Sequence, residues 1–311
     1  MRILFWGTPV FAVPSLLALT EEGHDIVGVV TQPDRPAGRG RRRTASPVKE
    51  AALKEGLTVL EPESPKGPAF LETIEALGAD LSVVVAYGQI LQREVLDVPR
   101  MGSVNLHASL LPALRGAAPI NWCIVRGDTV TGVTVMRMVE KMDAGPILFQ
   151  TREPILPGET ASDLATRLSE IGAAALMESL ALLEAGVIEE RAQDESEATY
   201  APKVDRATAH IDWTASCSDV ANLIRGMDAV PGAWSELDGD PVKLFRPGPE
   251  PDVTPDAAPG TILEADPSTG LRVAAGEGVV RIAEVQPAGK KRMGAGDWVI
   301  GRGAAAGQRF Q

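Results

Sequence analysis

What the chain has little of narrows it first. Only two of its 311 residues are cysteine, Cys123 and Cys217, far apart and without metal-ligand spacing. That excludes a disulfide framework and a zinc site, and it fits a reducing compartment. No apolar run is long enough to span a bilayer, and "MRILFWGTP" enters a turn too early for a signal h-region. The expected setting is cytoplasmic, with no membrane partner and no metal. Positive charge is the minority sign: 30 Lys and Arg against 42 Asp and Glu leave −12, which discourages a nucleic-acid partner unless cations are concentrated locally. The first apolar segment is followed by Gly7-Thr8-Pro9 without the later glycines of a dinucleotide fingerprint, so a nicotinamide or flavin cofactor has little support.

What is there is ordinary in amount and uneven in placement. A hydrophobic share of 44 % and a charged share of 23 % suit a globular protein, and 311 residues suit two domains. Arg35, Arg39, Arg41, Arg42, Arg43 and Lys49 crowd into "QPDRPAGRGRRRTASPVKE", and Lys290, Lys291 and Arg292 form a second cluster. Composition alone reads both as solvated loops. Screening confines each field to a Debye length of about 8–10 Å, however, so an acidic protein can still bind an anion at such a patch.

The first half alternates strand and helix patterns. "RILFW", "DIVGVVTQ", "LTVLEP", "DLSVVVAYG", "GSVNLHA" and "GVTVMRMV" read as buried strands, with helices around 68–77 and 117–127. A further helix starts from Ser46 as N-cap with Pro47 behind it, and stops at Gly56. Val-, Leu- and Ile-rich strands separated by helices imply an α/β fold with a Rossmann-like, mostly parallel sheet, whose sites form at the strands' carboxyl ends. A long helix is expected from about 160 to 185. Residues 188–209 are polar, charged and without apolar periodicity, which reads as a linker between domains 1–187 and 210–311. Beyond "SDVANLIRGM", a helix, come short strands such as "AWSEL", "PVKLF", "GTILEA", "LRVAAG" and "VVRIAEV", spaced as in a small OB-like β-barrel.

One stretch carries the chemistry. In "VNLHASLLPALRG" Asn105 and His107 share a strand face just before the chain breaks into a turn. Two polar side chains there are either satisfied structural groups or face a site. Asp143, in "VEKMDAGPIL", is the candidate third member: in a parallel sheet, successive strand ends lie on one edge. Asn, His and Asp without a reactive Ser or Cys suit transfer of an acyl group to a substrate's own amine, since Asn can donate to a developing oxyanion and His can donate or shuttle a proton. For a lone histidine the structural reading would prevail.

The motifs tip that balance. "NLHASLLPALRGAAPINW" with "GVTVMRMVEKMDAGPIL" resembles the folate-dependent formyltransferase signature. "TQPDRPAGRGRRRTASPVK", "QDESEATYAPKVDRATAHIDW" and "PAGKKRM" are similar to the branch of that family acting on methionyl-tRNA. The resemblance runs from the first strand to about Asp297. It implies formyl transfer from 10-formyltetrahydrofolate to the α-amino group of methionyl initiator tRNA, for translation initiation. It also implies roles for residues: Asn105, His107 and Asp143 in catalysis; Ser109, Leu110, Leu111 and Pro112 with Val85, Tyr87 and Gly88 at tetrahydrofolate; Arg39, Arg41, Arg42, Arg43, Lys49, Lys290 and Lys291 at the tRNA. A monomer is expected. The competing readings are a formyltransferase for a sugar nucleotide or other small amine, and a non-catalytic folate- or RNA-binding protein. Against the latter, Asn105, His107 and Asp143 are all present.

Overall fold

The structure, a computed structural model, describes residues 1–37 and 42–311. The first strands are β1 (Arg2–Gly7), β2 (Asp25–Val30), the hairpin strands β3 (Arg35–Ala37) and β4 (Arg42–Thr44), and β5 (Val59–Leu60). There follow β6 (Leu81–Val85), β7 (Ser103–His107), the short β8 (Arg115–Gly116), β9 (Val130–Arg137), β10 (Ile147–Pro154) and the short β11 (Tyr200–Ala201). Seven of these form one sheet in the order β10-β9-β7-β6-β1-β2-β5. The pairs from β7 to β5 are parallel, and β9 is antiparallel to β7.

This is the expected α/β sheet, and its order reverses between β1 and β6. At such a switch point the connections leave in opposite directions, opening a crevice outside the carboxyl ends of the strands. Ile3, Leu4, Phe5 and Trp6 of β1 and Leu81, Val83 and Val85 of β6 are fully buried, as strands covered on both faces must be. The helix Pro47–Lys54 starts where its sequence directs: Ser46 Oγ accepts the Lys49 N–H at 3.0 Å, and Pro47 holds the first position. The expected helices Pro68–Ala76, Pro119–Val125, Ala161–Glu184 and Cys217–Gly226 are all present.

By its internal packing the chain divides into two compact units that interleave in sequence. The first holds 1–116, 131–153 and 165–200; the second holds 117–130, 154–164 and 201–311. Residues 188–200 of the expected linker therefore lie in the first unit, and the rest in the second.

In the second unit are β12 (Trp234–Leu237), β13 (Asp240–Glu250), β14 (Ile262–Asp266), β15 (Gly270–Ala274), β16 (Val279–Pro287) and β17 (Met293–Gly294). They form an antiparallel sheet in the order β12-β13-β16-β15-β14, with β17 on β16. The C-terminal residues close it: Phe310 bridges Leu237 of β12, and Arg309 bridges Thr261 beside β14. Closure leaves these two edges paired, which makes the sheet a barrel. Its interior is filled by Trp213 stacked on Phe310 at 5.6 Å, Leu244, Ile262, Val273 and Ile282. Among the described residues no helix is long and apolar enough to cross a membrane.

Candidate active site

β7 places Asn105 and His107 on one face, two residues apart, near its carboxyl end. The residues opposite them on β9 are Met136 and Thr134. Thr134 fixes the Ser-Leu-Leu-Pro turn onto that face: its hydroxyl donates to Ser109 O at 2.6 Å and accepts from Leu111 N at 3.1 Å. Leu111 then packs with Met136 and Ile147, and Ser109 closes the turn by donating to Ala113 O at 2.6 Å. The turn is thus held by Thr134 of β9 and by its own Ser109 and Leu111.

His107 is 6 % exposed, so its ring nitrogens need partners. Nε2 lies 3.0 Å from Leu114 O. A carbonyl only accepts, so Nε2 carries the proton and Nδ1 is left for chemistry. Nδ1 lies 3.8 Å from Asp143 Oδ2, longer than a hydrogen bond and an ion pair only when the ring carries a second proton. That same Oδ2 accepts the Gly116 N–H at 2.8 Å. Asn105 is half-buried, and its amide has no hydrogen bond among the described residues. Such an amide is free to donate to an oxygen brought beside the histidine and the carboxylate.

Asp143 reaches His107 by a route other than the expected one. β9 is antiparallel, with Arg137 opposite Val104, so its carboxyl end lies at the opposite edge from His107. The loop beyond Arg137 folds back along the sheet to bring Asp143 under the imidazole. Parallel strand ends, the reason for expecting the contact, do not supply it.

The fold-back depends on residues that the sequence did not single out as functional. Asp143 has φ +51°, a left-handed conformation unusual for a residue with a side chain. A Cβ on Gly145 would stand 1.8 Å from Arg137 O, so glycine is required there. Gln193 donates to Asp143 O and Gly145 O, both at 2.8 Å, and its oxygen accepts from Arg115 Nε at 3.0 Å and an Arg115 terminal nitrogen at 2.7 Å. Arg115 is 1 % exposed and pairs end-on with Glu195, both contacts at 3.1 Å. Hydrogen bonds from Arg115 first, then Lys141, pull the Glu195 carboxyl down to about 2. No periodicity marks Gln193 or Glu195, and their partners lie some 50 to 80 positions away.

The proposed folate residues fall in two places. Val85, Tyr87 and Gly88 leave β6 at the switch point. The Tyr87 ring is buried against Trp6, and burial pushes its phenol up to about 12. Its carbonyl accepts from Thr8 Oγ1 at 2.9 Å and Gln32 Nε2 at 2.7 Å, so both lone pairs of that acceptor are already taken. Gly88 has φ +85°, and a Cβ there would meet Gln32 Nε2 at 2.5 Å. Exposed Val10 and Ile90 follow β1 and β6 at this crevice. Leu110, Leu111 and Pro112 instead line a cleft of about 740 Å³ with Ala113, residues 147–150 of β10, Arg152, Glu189, Arg191 and Glu197. The lining of that cleft includes neither His107 nor the Val85–Gly88 segment.

Of the cationic candidates, Arg39 and Arg41 lie outside the described residues. Arg42 stands on β4, and Arg43, its neighbour there, is exposed. Lys49 is held by Asp34 and Glu61, each at 2.8 Å, which raises its ammonium and fixes the base of the hairpin. Lys290 and Lys291 are exposed and make no ion pair among the described residues. Arg292 beside them is committed to Asp228 at 2.9 Å and Glu284 at 2.5 Å, with its guanidinium 3.9 Å from the Phe245 ring centre. Among the described residues no cluster of His, Cys, Asp and Glu could hold a metal ion.

Comparison with known proteins gives this geometry its context. The formyl transferase family matches residues 1–180, and the family's C-terminal domain matches 203–303. A methionyl-tRNA formyltransferase of Geotalea uraniireducens is 45 % identical over 307 residues, covering 99 % of this chain and 97 % of that protein. One of Methylococcus capsulatus is 47 % identical, covering 100 % of this chain and 99 % of the relative. HypX from Aquifex aeolicus, solved in complex with tetrahydrofolic acid, superposes with a TM-score of 0.67 at 20 % identity. It covers 97 % of this chain, which spans 47 % of that one, and the likeness is one of fold.

Proposed function

The chain belongs to the formyl transferase family, on its methionyl-tRNA formyltransferase branch, and we infer that it moves formyl from 10-formyltetrahydrofolate to methionyl initiator tRNA. The α-amino nitrogen attacks the formyl carbon, the oxygen gathers negative charge, and the bond to N10 then breaks. One proton leaves the amine and one arrives at N10. The observation that carries the reading is the meeting of Asn105, His107 and Asp143 on one side of β7, with the Asn105 amide unpartnered.

We assign Asn105 to the oxyanion, where a preorganised donor does most for such a step. With Nε2 given to Leu114, His107 works through Nδ1, holding the oxygen when protonated there and accepting a proton when not. Asp143 takes the amine proton toward Nδ1. The donor's pterin is assigned to the backbone at Val85, Tyr87 and Gly88, whose place at the switch point suits a planar ligand read by main-chain groups. Ser109, Leu110, Leu111 and Pro112 shape the wall beyond the reacting carbon.

For the tRNA we assign the cations Arg39, Arg41, Arg42 and Arg43, with Lys290 and Lys291 of the second unit. Lys49 enters as the anchor of the hairpin, given its two carboxylate partners. We propose that the enzyme acts in the cytoplasm as a monomer, which light scattering at working concentration checks. The acceptor is tested by offering 10-formyltetrahydrofolate with methionyl initiator tRNA, free methionine and a sugar-nucleotide amine in parallel. Formyl is expected on the tRNA alone; transfer to the sugar amine and not the tRNA overturns the assignment.

A further inference from the structure

We infer that Gln193 is a positioning residue, the centre of a clamp that sets the spacing of His107 and Asp143. The inference rests on the formyl-transfer reading and adds residues from outside both β7 and the Asp143 loop.

The peptide Leu114-Arg115-Gly116 touches both reacting side chains. Leu114 O receives His107 Nε2 at 3.0 Å, and Gly116 N–H binds Asp143 Oδ2 at 2.8 Å. The side chain between them, Arg115, turns away to Gln193, and Gln193 returns two hydrogen bonds to the backbone of the Asp143 loop. Every polar valence of the Gln193 amide is thereby used: two N–H groups on carbonyls of residues 143 and 145, and two lone pairs on Arg115. The same segment grips the other side, since Thr199 Oγ1 accepts Leu114 N and Thr199 O accepts Arg115 N, both at 2.9 Å.

Such a clamp has physical work to do. A residue with φ +51° stays there only where its surroundings over-determine it. Two donated hydrogen bonds at Asp143 and Gly145 supply that determination. The buried Arg115 charge is kept in place by Glu195, whose second partner is Lys141 at 2.6 Å, on the Asp143 loop itself. Both ends of the loop's descent are tied to residues 193–195, and a carboxylate displaced by about 1 Å costs a proton-transfer step on the order of 10²-fold.

A simpler role for Gln193 would be to satisfy Arg115, and two variants separate the roles. Gln193→Met keeps the volume and removes all four hydrogen bonds. Gln193→Glu gives Arg115 a charged acceptor and sets carboxylate oxygens against the carbonyls of 143 and 145. The clamp predicts that both lower kcat about tenfold or more while the KM for 10-formyltetrahydrofolate holds, the signature of a missing transition-state interaction. Wild-type kcat in Gln193→Glu overturns it, and this variant decides if Gln193→Met does not fold. The ¹⁵N signals of the His107 ring give a second readout independent of turnover. They should move in both variants, and signals unmoved in a folded variant overturn the clamp. If the wild type transfers no formyl to the tRNA, the functional reading fails on its own, and the ring signals still judge the clamp.

Discussion

His107 shows how far a residue's chemistry is fixed by its neighbours. Its only hydrogen-bond partner among the described residues is a carbonyl, which makes the neutral ring the Nε2–H tautomer. With three histidines in the chain, the ring ¹⁵N spectrum is simple to assign. It should show His107 with a pyrrole-type Nε2 and a lone pair on Nδ1; the reverse pattern would mean that Nδ1 is not the working atom. Asn105 and His107 were legible because two polar residues at strand spacing violate the rule for a buried strand. Asp143 was legible only through its motif, and the strand geometry offered for its contact was wrong. Gln193 and Glu195 were invisible: a polar segment carries no periodic signal, and its meaning comes from a buried arginine far away in sequence.

At the scale of elements, the buried strands and capped helices were read well because burial and capping leave local marks. β10 was missed for the opposite reason. It is an edge strand with a half-exposed, polar outer half, "QTREP", so neither an apolar run nor a clean alternation marks it. The basic stretch expected as a loop carries a hairpin, with Arg35 opposite Thr44 and Pro36 opposite Arg43. Of its cations, Arg35 and Arg43 are exposed. If Arg41, Arg42 and Arg43 meet acceptor-stem phosphates, replacing all three with Ala should weaken tRNA binding. Its salt dependence should flatten by roughly 0.7–0.9 for each phosphate no longer neutralised. Affinity for the folate donor should hold. Replacing Lys290 and Lys291 should flatten the slope further and independently. Wild-type affinity and slope in the triple variant would place tRNA recognition elsewhere.

The whole molecule is less sequential than its sequence suggests. A charged stretch without apolar pattern looks like a linker, yet within the first unit Gln193 donates to Asp143 O and Thr199 accepts from Leu114 N. Barrel closure was equally hidden, because it rests on "RF" at 309–310, two residues too short to read as a strand and beyond the matched C-terminal domain. Length suggests two domains, and the chain divides into two compact units whose segments interleave in sequence. The central claim, formyl transfer to methionyl initiator tRNA at Asn105, His107 and Asp143, is tested most directly by single-turnover transfer from 10-formyltetrahydrofolate in wild type, Asn105→Ala and His107→Ala. The wild type should formylate the tRNA, and each variant, folded and with tRNA affinity intact, should be slower by about 10²–10³. Near-normal rates in either variant would remove that residue from the mechanism, and a wild type that leaves methionyl-tRNA unformylated would contradict the account as a whole.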